Sequence, residues 1–175
     1  MPPYSVPPIV VMGMQGSGKT TIGELLGRRL GVPFVDGDTL HSVANKDWMA
    51  SGQALSDAQR LPWLREVGER LAAGADTGVV VACSALKRAY RDLLREQAPS
   101  MLTVFARGSV DLIQGRIMAR RHEFMPLSLL PTQYDELEER QPDEPGLTVD
   151  ITHSPDQIVD QIVSFIVEGA VAHGH

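Results

Sequence analysis

The amino-acid sequence predicts an α/β fold in which a parallel sheet is covered by helices. Short apolar or β-branched runs alternate with longer stretches of helical periodicity, and this alternation is typical of parallel sheets. The 175 residues are 43% hydrophobic and 22% charged, which is the balance of a globular chain. No linker is long enough to separate two domains. We therefore expect one domain over residues 1–175, with frayed ends at 1–7 and at about 170–175.

Five short runs are the predicted strands, at residues 9–12, 33–35, 79–83, 102–106 and 147–151. The first helix, 18–30, carries an apolar stripe at helical spacing that consists of Ile22, Leu25, Leu26 and Leu30. Further helices are predicted near 56–74, 86–96, 109–121 and 127–139.

The last helix has a clear start signal in "SPDQ", residues 154–157. Ser154 is the predicted N-cap and Pro155 lies in the first turn, while Gln157 can complete a capping box. The residues expected to be buried from this helix are Ile158, Ile162, Phe165 and Ile166.

The composition excludes several classes of protein. A formal net charge of −6 argues against nucleic-acid binding, which usually needs a strongly basic face. The single cysteine, Cys83, cannot form an intramolecular disulfide, and we interpret it as a small buried hydrophobe rather than a nucleophile. No apolar run approaches the roughly 18 residues that span a bilayer, and the first residues, "MPPYSVPP", lack the features of a secretory signal. We expect a cytoplasmic protein without a membrane partner.

The strongest motif follows the first predicted strand. Residues 13–20 match G-x-x-x-x-G-K-[ST], the P-loop pattern, in which backbone N–H groups and a helix N-terminus surround a nucleotide phosphate. Lys19 is expected to act in catalysis by bridging the β- and γ-phosphates, and the Thr20 hydroxyl to bind Mg²⁺. The predicted nucleotide-binding residues are Gly13, Met14, Gln15, Gly16, Ser17, Gly18, Lys19, Thr20 and Thr21.

An acidic pair, Asp36 and Asp38 in "VDGDTLH", ends the second predicted strand. If strand geometry persists, two residues at this spacing point to the same face. Carboxyl ends of neighbouring parallel strands converge on the ligand crevice. Phosphoryl transfer needs one group that orients a metal and another that positions the acceptor hydroxyl. We assign Asp36 to the metal, because the third strand ends in "SA" without an acid, and Asp38 to the acceptor.

Basic side chains could hold anionic groups around this crevice. Arg60 and Lys87 are placed to flank the acceptor pocket, and Arg116 and Arg120 lie four residues apart on one helical face. Such a pair could close over the triphosphate as a lid. Each of these four could instead be a solvated surface residue.

Together these segments resemble a known family. The P-loop and the segments "DGDTLH", "MASGQALSDAQRLPWL", "CSALKRAYRDLLR" and "LLPTQYDELE" are similar to those of the bacterial-type gluconokinases, small P-loop kinases related to shikimate kinase. The similarity extends from about residue 9 to about residue 165.

The resemblance implies that ATP and Mg²⁺ are used to phosphorylate D-gluconate at its 6-hydroxyl. It implies that Asp36 orients the metal's water shell and that Asp38 accepts from the acceptor hydroxyl. Arg60 would face the sugar-acid carboxylate, with His41 and Lys87 nearby, and Arg116 and Arg120 would be the catalytic lid arginines. It also implies a five-stranded sheet of order 2-3-1-4-5 and a possible homodimer.

The chain departs from the family at three positions. Trp48 replaces a lysine, Ala54 replaces a proline, and Glu123 replaces the histidine of the lid motif. Two alternatives to a gluconate kinase stay open. One is a P-loop kinase for another small polyol or sugar acid such as shikimate, and the other is a nucleotide-switch module without an acceptor.

Overall fold

The computed structural model describes residues 3–119 and 127–172. Its parallel sheet has five strands: β1 Pro8–Met12, β2 Phe34–Asp36, β3 Val79–Ala82, β4 Leu102–Arg107 and β5 Gly146–Asp150. Their order is β2-β3-β1-β4-β5, which confirms the predicted order and class. The helices are α1 Lys19–Leu30, α2 Val43–Ala50, α3 Asp57–Ala73, α4 Arg88–Gln97, α5 Val110–Ala119, α6 Leu130–Glu136 and α7 Pro155–Ala172.

The central strand β1 is buried along its whole length, and its alternating side chains supply both faces of the sheet. Ile9 and Val11 belong to the apolar cluster that includes α1 and α7. Val10 and Met12 belong to the cluster that includes α3 and α4. The sheet is therefore covered on both faces, as expected for a parallel sheet.

The parallel register brings the carboxyl ends of β1, β2 and β3 to the same edge of the sheet. Ala82 of β3 is aligned with Val11 of β1 and with Asp36 of β2. The P-loop, the acidic loop after β2 and the loop after β3 thus begin side by side. Loops at this edge are where open α/β sheets bind ligands.

Two short helices were missed in the sequence. Gly37–Leu40 forms a 3₁₀ helix, and α2 begins after Ser42, whose hydroxyl accepts from the N–H of Asn45 at 3.1 Å. Both are shorter than the window in which helical periodicity is visible. The helix predicted at 127–139 is shorter, consisting of a 3₁₀ turn at Leu127–Leu129 and then α6.

The last helix begins as predicted, with a reciprocal capping box. Ser154 N–H donates to Gln157 Oε1 at 2.9 Å, and Gln157 N–H donates to Ser154 Oγ at 3.2 Å. The predicted burial of Phe165 is wrong, because this side chain is exposed and Val159 is buried in the core instead. The helix extends to Ala172, beyond the point where fraying was expected, and Val6 in the lead-in is buried. Within the described residues, none of the helices combines the length and apolarity needed to cross a membrane.

Candidate active site

The P-loop connects β1 to α1, and Gly16 and Gly18 within it both have positive φ. Gly18 is the N-cap of α1 in the left-handed region, with φ of 87°, which glycine adopts without steric cost. The N–H groups of Lys19 and the next two residues lie in the first turn, where the helix offers no carbonyl acceptor. The ammonium of Lys19 donates to Met14 O at 3.4 Å and therefore folds back over the loop. Ser17 is fully buried beneath it, and its hydroxyl has no partner among the described residues.

One pocket joins this cradle to the acceptor side. Residues of the predicted site that line it are Gln15, Gly16, Gly18, Lys19, Thr20, Thr21, Asp38, His41 and Arg60. The pocket also has lining residues that were not assigned from the sequence, among them Ser84, Tyr90, Gln133 and Glu136. Other predicted residues, namely Gly13, Met14, Ser17, Asp36, Lys87 and Arg116, are not among its lining residues.

The two acids after β2 have different surroundings. The strand ends at Asp36 and a 3₁₀ helix follows, so the strand geometry that would align their carboxylates does not persist. Asp36 Oδ1 accepts from the N–H of Asp38 at 3.0 Å and caps that short helix. Asp38 presents its side chain to the pocket. The acids are therefore not equivalent.

The loop that carries Asp38 is held by α3. The indole N–H of Trp63 donates to Gly37 O at 2.7 Å, and the Trp63 ring stacks on His41 with centroids 4.0 Å apart. Gly37 is required here, because a Cβ at this position would lie 2.4 Å from Ala82 O. The packing fixes the loop against the end of β3.

His41 is neutral in this packing. Burial lowers the pKa of His41 to about 4, with further lowering by the charges of Arg60 and Lys46. Its Nδ1 is buried and has no hydrogen-bond partner among residues 3–119 and 127–172. A neutral imidazole can both donate and accept a hydrogen bond, which suits a ligand hydroxyl.

Arg60 lines the acceptor side, but its guanidinium is already paired. Nη1 and Nη2 each lie 3.0 Å from a carboxylate oxygen of Glu136 in α6, and Nη1 also donates to Tyr90 Oη at 2.7 Å. Lys87 pairs with Asp57 at 3.3 Å, and Tyr90 also donates to Asp57. The ammonium of Lys87 is thus directed at the start of α3 and lies 5.5 Å from the Tyr90 ring.

Of the two predicted lid arginines, the structure describes one. Arg116 in α5 donates to Ile151 O at 2.7 Å, and its Nη1 would be 3.7 Å from a Cβ built on Gly18. It therefore lies beside the P-loop. Arg120 and Glu123 lie outside the described residues.

Cys83 is buried in the apolar cluster around α3 and α4. Burial raises the pKa of its thiol to about 12, and the charges of Asp38 and Asp36 raise it while Lys19 lowers it. The thiol is therefore protonated near neutral pH, which agrees with its interpretation as a small hydrophobe.

Helix α6 supplies two site residues that sequence reasoning missed. Gln133 Oε1 accepts from the N–H of Gln15 in the P-loop at 2.8 Å, and Glu136 pairs with Arg60. Their spacing of three residues behind Pro131, which lies in the helix's first turn, was a visible signal, since residues three apart share a helical face.

Two departures from the family pattern contact each other. The indole N–H of Trp48 donates to Ala54 O at 3.0 Å, and Ala54 lines the pocket. The tryptophan thus supports the turn that contains Ala54.

Known proteins are similar to this chain over most of its length. The sequence model of the shikimate kinase family matches residues 15–167. The chain is 38% identical to thermoresistant gluconokinase of Escherichia coli (strain K12), over 91% of this chain and 93% of that one. It is similar to the crystal structure of a gluconokinase from Sinorhizobium meliloti 1021, with 42% identity, a TM-score of 0.86 and coverage of 95% and 94%. It is also similar to an unliganded sugar kinase from Janibacter sp. HTCC2649, with 40% identity, a TM-score of 0.88 and coverage of 93% and 95%.

Proposed function

Since this chain belongs to the gluconokinase family of P-loop kinases, we propose that it transfers the γ-phosphate of ATP to the 6-hydroxyl of D-gluconate. The products are 6-phospho-D-gluconate and ADP. One observation carries the proposal, namely that Lys19 and Thr20 of the phosphate cradle line the same pocket as Asp38 and Arg60. A nucleotide switch without an acceptor would have no use for the second pair.

The nucleotide half of the pocket fits ATP. First-turn N–H groups of α1 and the Lys19 ammonium supply positive charge where the β- and γ-phosphates would lie. Thr20 and Asp36 would hold Mg²⁺, Thr20 through its hydroxyl and Asp36 through the metal's water shell. The ion would neutralise charge on the phosphates when bound. Arg116, beside Gly18, and Arg120 would add cationic contacts to the transferred group.

The acceptor half fits a polyhydroxylated acid. Asp38 would accept the proton of the 6-hydroxyl. The hydroxyl oxygen would attack the γ-phosphorus, and the bond between the γ-phosphorus and the β–γ bridging oxygen would break. Neutral His41 would hydrogen-bond a sugar hydroxyl. Arg60 would bind the gluconate carboxylate. The carboxylate and the 6-hydroxyl are at opposite ends of gluconate, so holding the carboxylate sets the 6-hydroxyl in line for attack. Lys87 would add positive charge near the substrate from its position beside Tyr90.

The test is a coupled assay of ADP release with gluconate, shikimate and D-glucitol, the neutral reduced analogue of gluconate. We expect gluconate to raise ADP release several-fold above the rate with ATP alone and above the rate with either other acceptor. Lys19→Ala is the inactive control, because losing a preorganised electrostatic contact of this kind commonly lowers kcat by about 10²–10³. Equal rates with and without gluconate would refute the proposal.

The roles of the two acids are separable. Asp38→Asn should lower kcat by roughly 10²-fold or more, the scale of general-base catalysis, with ATP affinity retained, because it removes the group that receives the hydroxyl proton. Asp36→Asn should raise the Mg²⁺ concentration required for half-maximal rate. Mg²⁺ titrations of both variants measure this, and exchanged phenotypes would mean that the roles are reversed.

From the composition we also propose a cytoplasmic enzyme with no nucleic-acid or membrane partner, and from the resemblance we propose a homodimer. Light scattering coupled to size-exclusion chromatography measures the oligomeric state directly.

A further inference from the structure

The guanidinium of Arg60, which the proposed function assigns to the substrate carboxylate, already holds a carboxylate of this chain. Glu136 places one oxygen 3.0 Å from Nη1 and the other 3.0 Å from Nη2. Two parallel hydrogen bonds of this kind are the arrangement in which arginine prefers to bind any carboxylate. The second hydrogen-bonding position of Nη1 is taken by Tyr90 Oη at 2.7 Å.

This ion pair is shielded but within reach of a ligand. The side chains of Arg60 and Glu136 are 14% and 17% exposed, and both line the pocket beside Asp38. At this degree of burial the charge of the guanidinium is largely cancelled by Glu136. A sugar acid therefore gains the full charge of Arg60 only by taking the place of Glu136.

We propose that Glu136 sets the affinity for the substrate by competing with it for Arg60, and that a sugar acid binds by replacing the Glu136 carboxylate in the guanidinium fork. The proposal rests on the proposed function, because it takes the acceptor to be an anionic sugar acid. A carboxylate replaces a carboxylate in the same geometry, so the orientation of Arg60 is preserved by Tyr90. A neutral polyol has no charge with which to replace Glu136, so the discrimination against it comes from Arg60.

The position of Glu136 connects this exchange to the nucleotide side. Glu136 ends α6, and one turn earlier Gln133 accepts from the P-loop N–H of Gln15. The same short helix therefore contacts both the acceptor arginine and the phosphate cradle. When the substrate replaces Glu136, α6 loses its contact with Arg60, and this is the helix that also contacts the nucleotide site.

Glu136→Gln tests the exchange. The glutamine keeps the size and one acceptor oxygen but lacks the charge, so gluconate competes with a weaker partner of Arg60. We expect the Kd of gluconate, measured by calorimetry, and its KM to fall about fivefold, the difference between a charged and a neutral hydrogen bond. Discrimination against D-glucitol should persist, because Arg60 remains. Asp135→Asn is the matched control, since it makes the same charge change on an exposed position of the same helix, and it should leave both constants unchanged.

A second arm uses the background of Arg60→Met. If Glu136 acts through Arg60, Glu136→Gln loses its tightening effect there. An unchanged or raised KM for gluconate in Glu136→Gln, while the wild type turns gluconate over, would overturn the inference and leave the proposed function intact. Absence of gluconate turnover in the wild type would refute the function instead. The inference is then decided by calorimetry with other sugar acids, where equal or weaker binding by Glu136→Gln refutes it.

Discussion

Two arginine–glutamate pairs join the helices of one face of the sheet to the chain between residues 130 and 145, and they differ in how completely the protein satisfies them. Arg91 in α4 and Glu144 are both fully buried. Arg60 in α3 and Glu136 in α6 keep a small exposed fraction and face the pocket. Each arginine contacts both oxygens of its carboxylate, Arg91 through Nε and Nη2 and Arg60 through Nη1 and Nη2.

Protein groups use every donor of Arg91. Nε and Nη2 donate to Glu144 at 2.7 and 3.1 Å, and the remaining hydrogens go to the carbonyl oxygens of Ala85, Leu86 and Glu139. Glu144 also accepts from the N–H of Gln141 at 2.7 Å. Ala85 has a positive φ of 42°, which is unfavourable for a residue with a Cβ, and Arg91 helps to hold it there.

The comparison separates structure from binding. The Arg91 pair leaves no donor for a ligand and stabilises the loop after β3, from which Ser84 and Leu86 line the pocket. In the Arg60 pair, two of the three guanidinium nitrogens contact side chains. The pair lies where a ligand can reach it. The completely satisfied Arg91 pair serves folding, whereas the Arg60 pair borders the pocket in which the proposed exchange takes place.

The largest expected effect is the loss of stability when the Arg91–Glu144 pair is broken. Arg91→Met should lower the free energy of unfolding by about 3–5 kcal/mol, because the buried Glu144 loses both hydrogen bonds from Arg91 and keeps only longer contacts with Arg95 at 3.6 Å and Arg88 at 3.9 Å. Denaturant titration followed by circular dichroism measures this. Arg29→Met in α1 is the control, since its contacts with Asp160 and Asp156 are at the surface and are worth about 1 kcal/mol or less. Equal losses in both variants would contradict the distinction.

Breaking the Arg60–Glu136 pair is expected to lower activity more than stability. Arg60→Met should lower kcat/KM for gluconate by about 2–3 kcal/mol, the value of a charged hydrogen bond, and Arg60→Lys should restore it only in part because it lacks the fork. The KM of ATP should stay the same. The loss of stability should be less than half that of Arg91→Met, because Glu136 can turn towards water. Steady-state kinetics with both substrates and a denaturant titration supply these comparisons, and intact gluconate kinetics would exclude the carboxylate contact.

The buried His41 should make the stability of the protein depend on pH. The folded-state pKa of His41 is about 4 and its unfolded value is about 6.5, so the unfolded chain binds the extra proton as pH falls. The wild type should lose about 2 kcal/mol of stability through this residue between pH 7.5 and pH 5. His41→Gln should remove that part of the dependence, and His153→Gln, at an exposed position, should not. Unfolding curves at four pH values measure it; identical slopes in wild type and His41→Gln would show that His41 is not buried as a neutral ring.

The smallest effect is expected at Tyr90, whose hydroxyl accepts from the same Nη1 of Arg60 that donates to Glu136. Tyr90→Phe removes one neutral hydrogen bond to the guanidinium and should lower kcat/KM for gluconate by about 1 kcal/mol, or roughly fivefold. Steady-state kinetics measure it. A loss as large as that of Arg60→Met would indicate that Tyr90 contacts the substrate itself.

The sequence was sufficient wherever the physics is local. The order of short apolar runs and helical stripes predicted the parallel sheet, and the motif at residues 13–20 predicted the cradle. The capping box at Ser154 and Gln157 was likewise readable, because all its atoms lie within three residues. Short elements such as α2 were not, since eight residues carry too little periodicity to be distinguished from a loop.

Only the tertiary structure decided which charges meet. The sequence identified Arg60 as a candidate for anion binding, but its partner Glu136 is 76 residues away in the chain and belongs to a helix whose position depends on the whole sheet. The lowered pKa of His41 likewise depends on burial against Trp63, and the pairing of Lys87 with Asp57 on the packing of α3 near α4. Motifs and caps are determined by neighbours along the chain, whereas the charge state and occupancy of a site are determined by distances that exist only after the chain has folded.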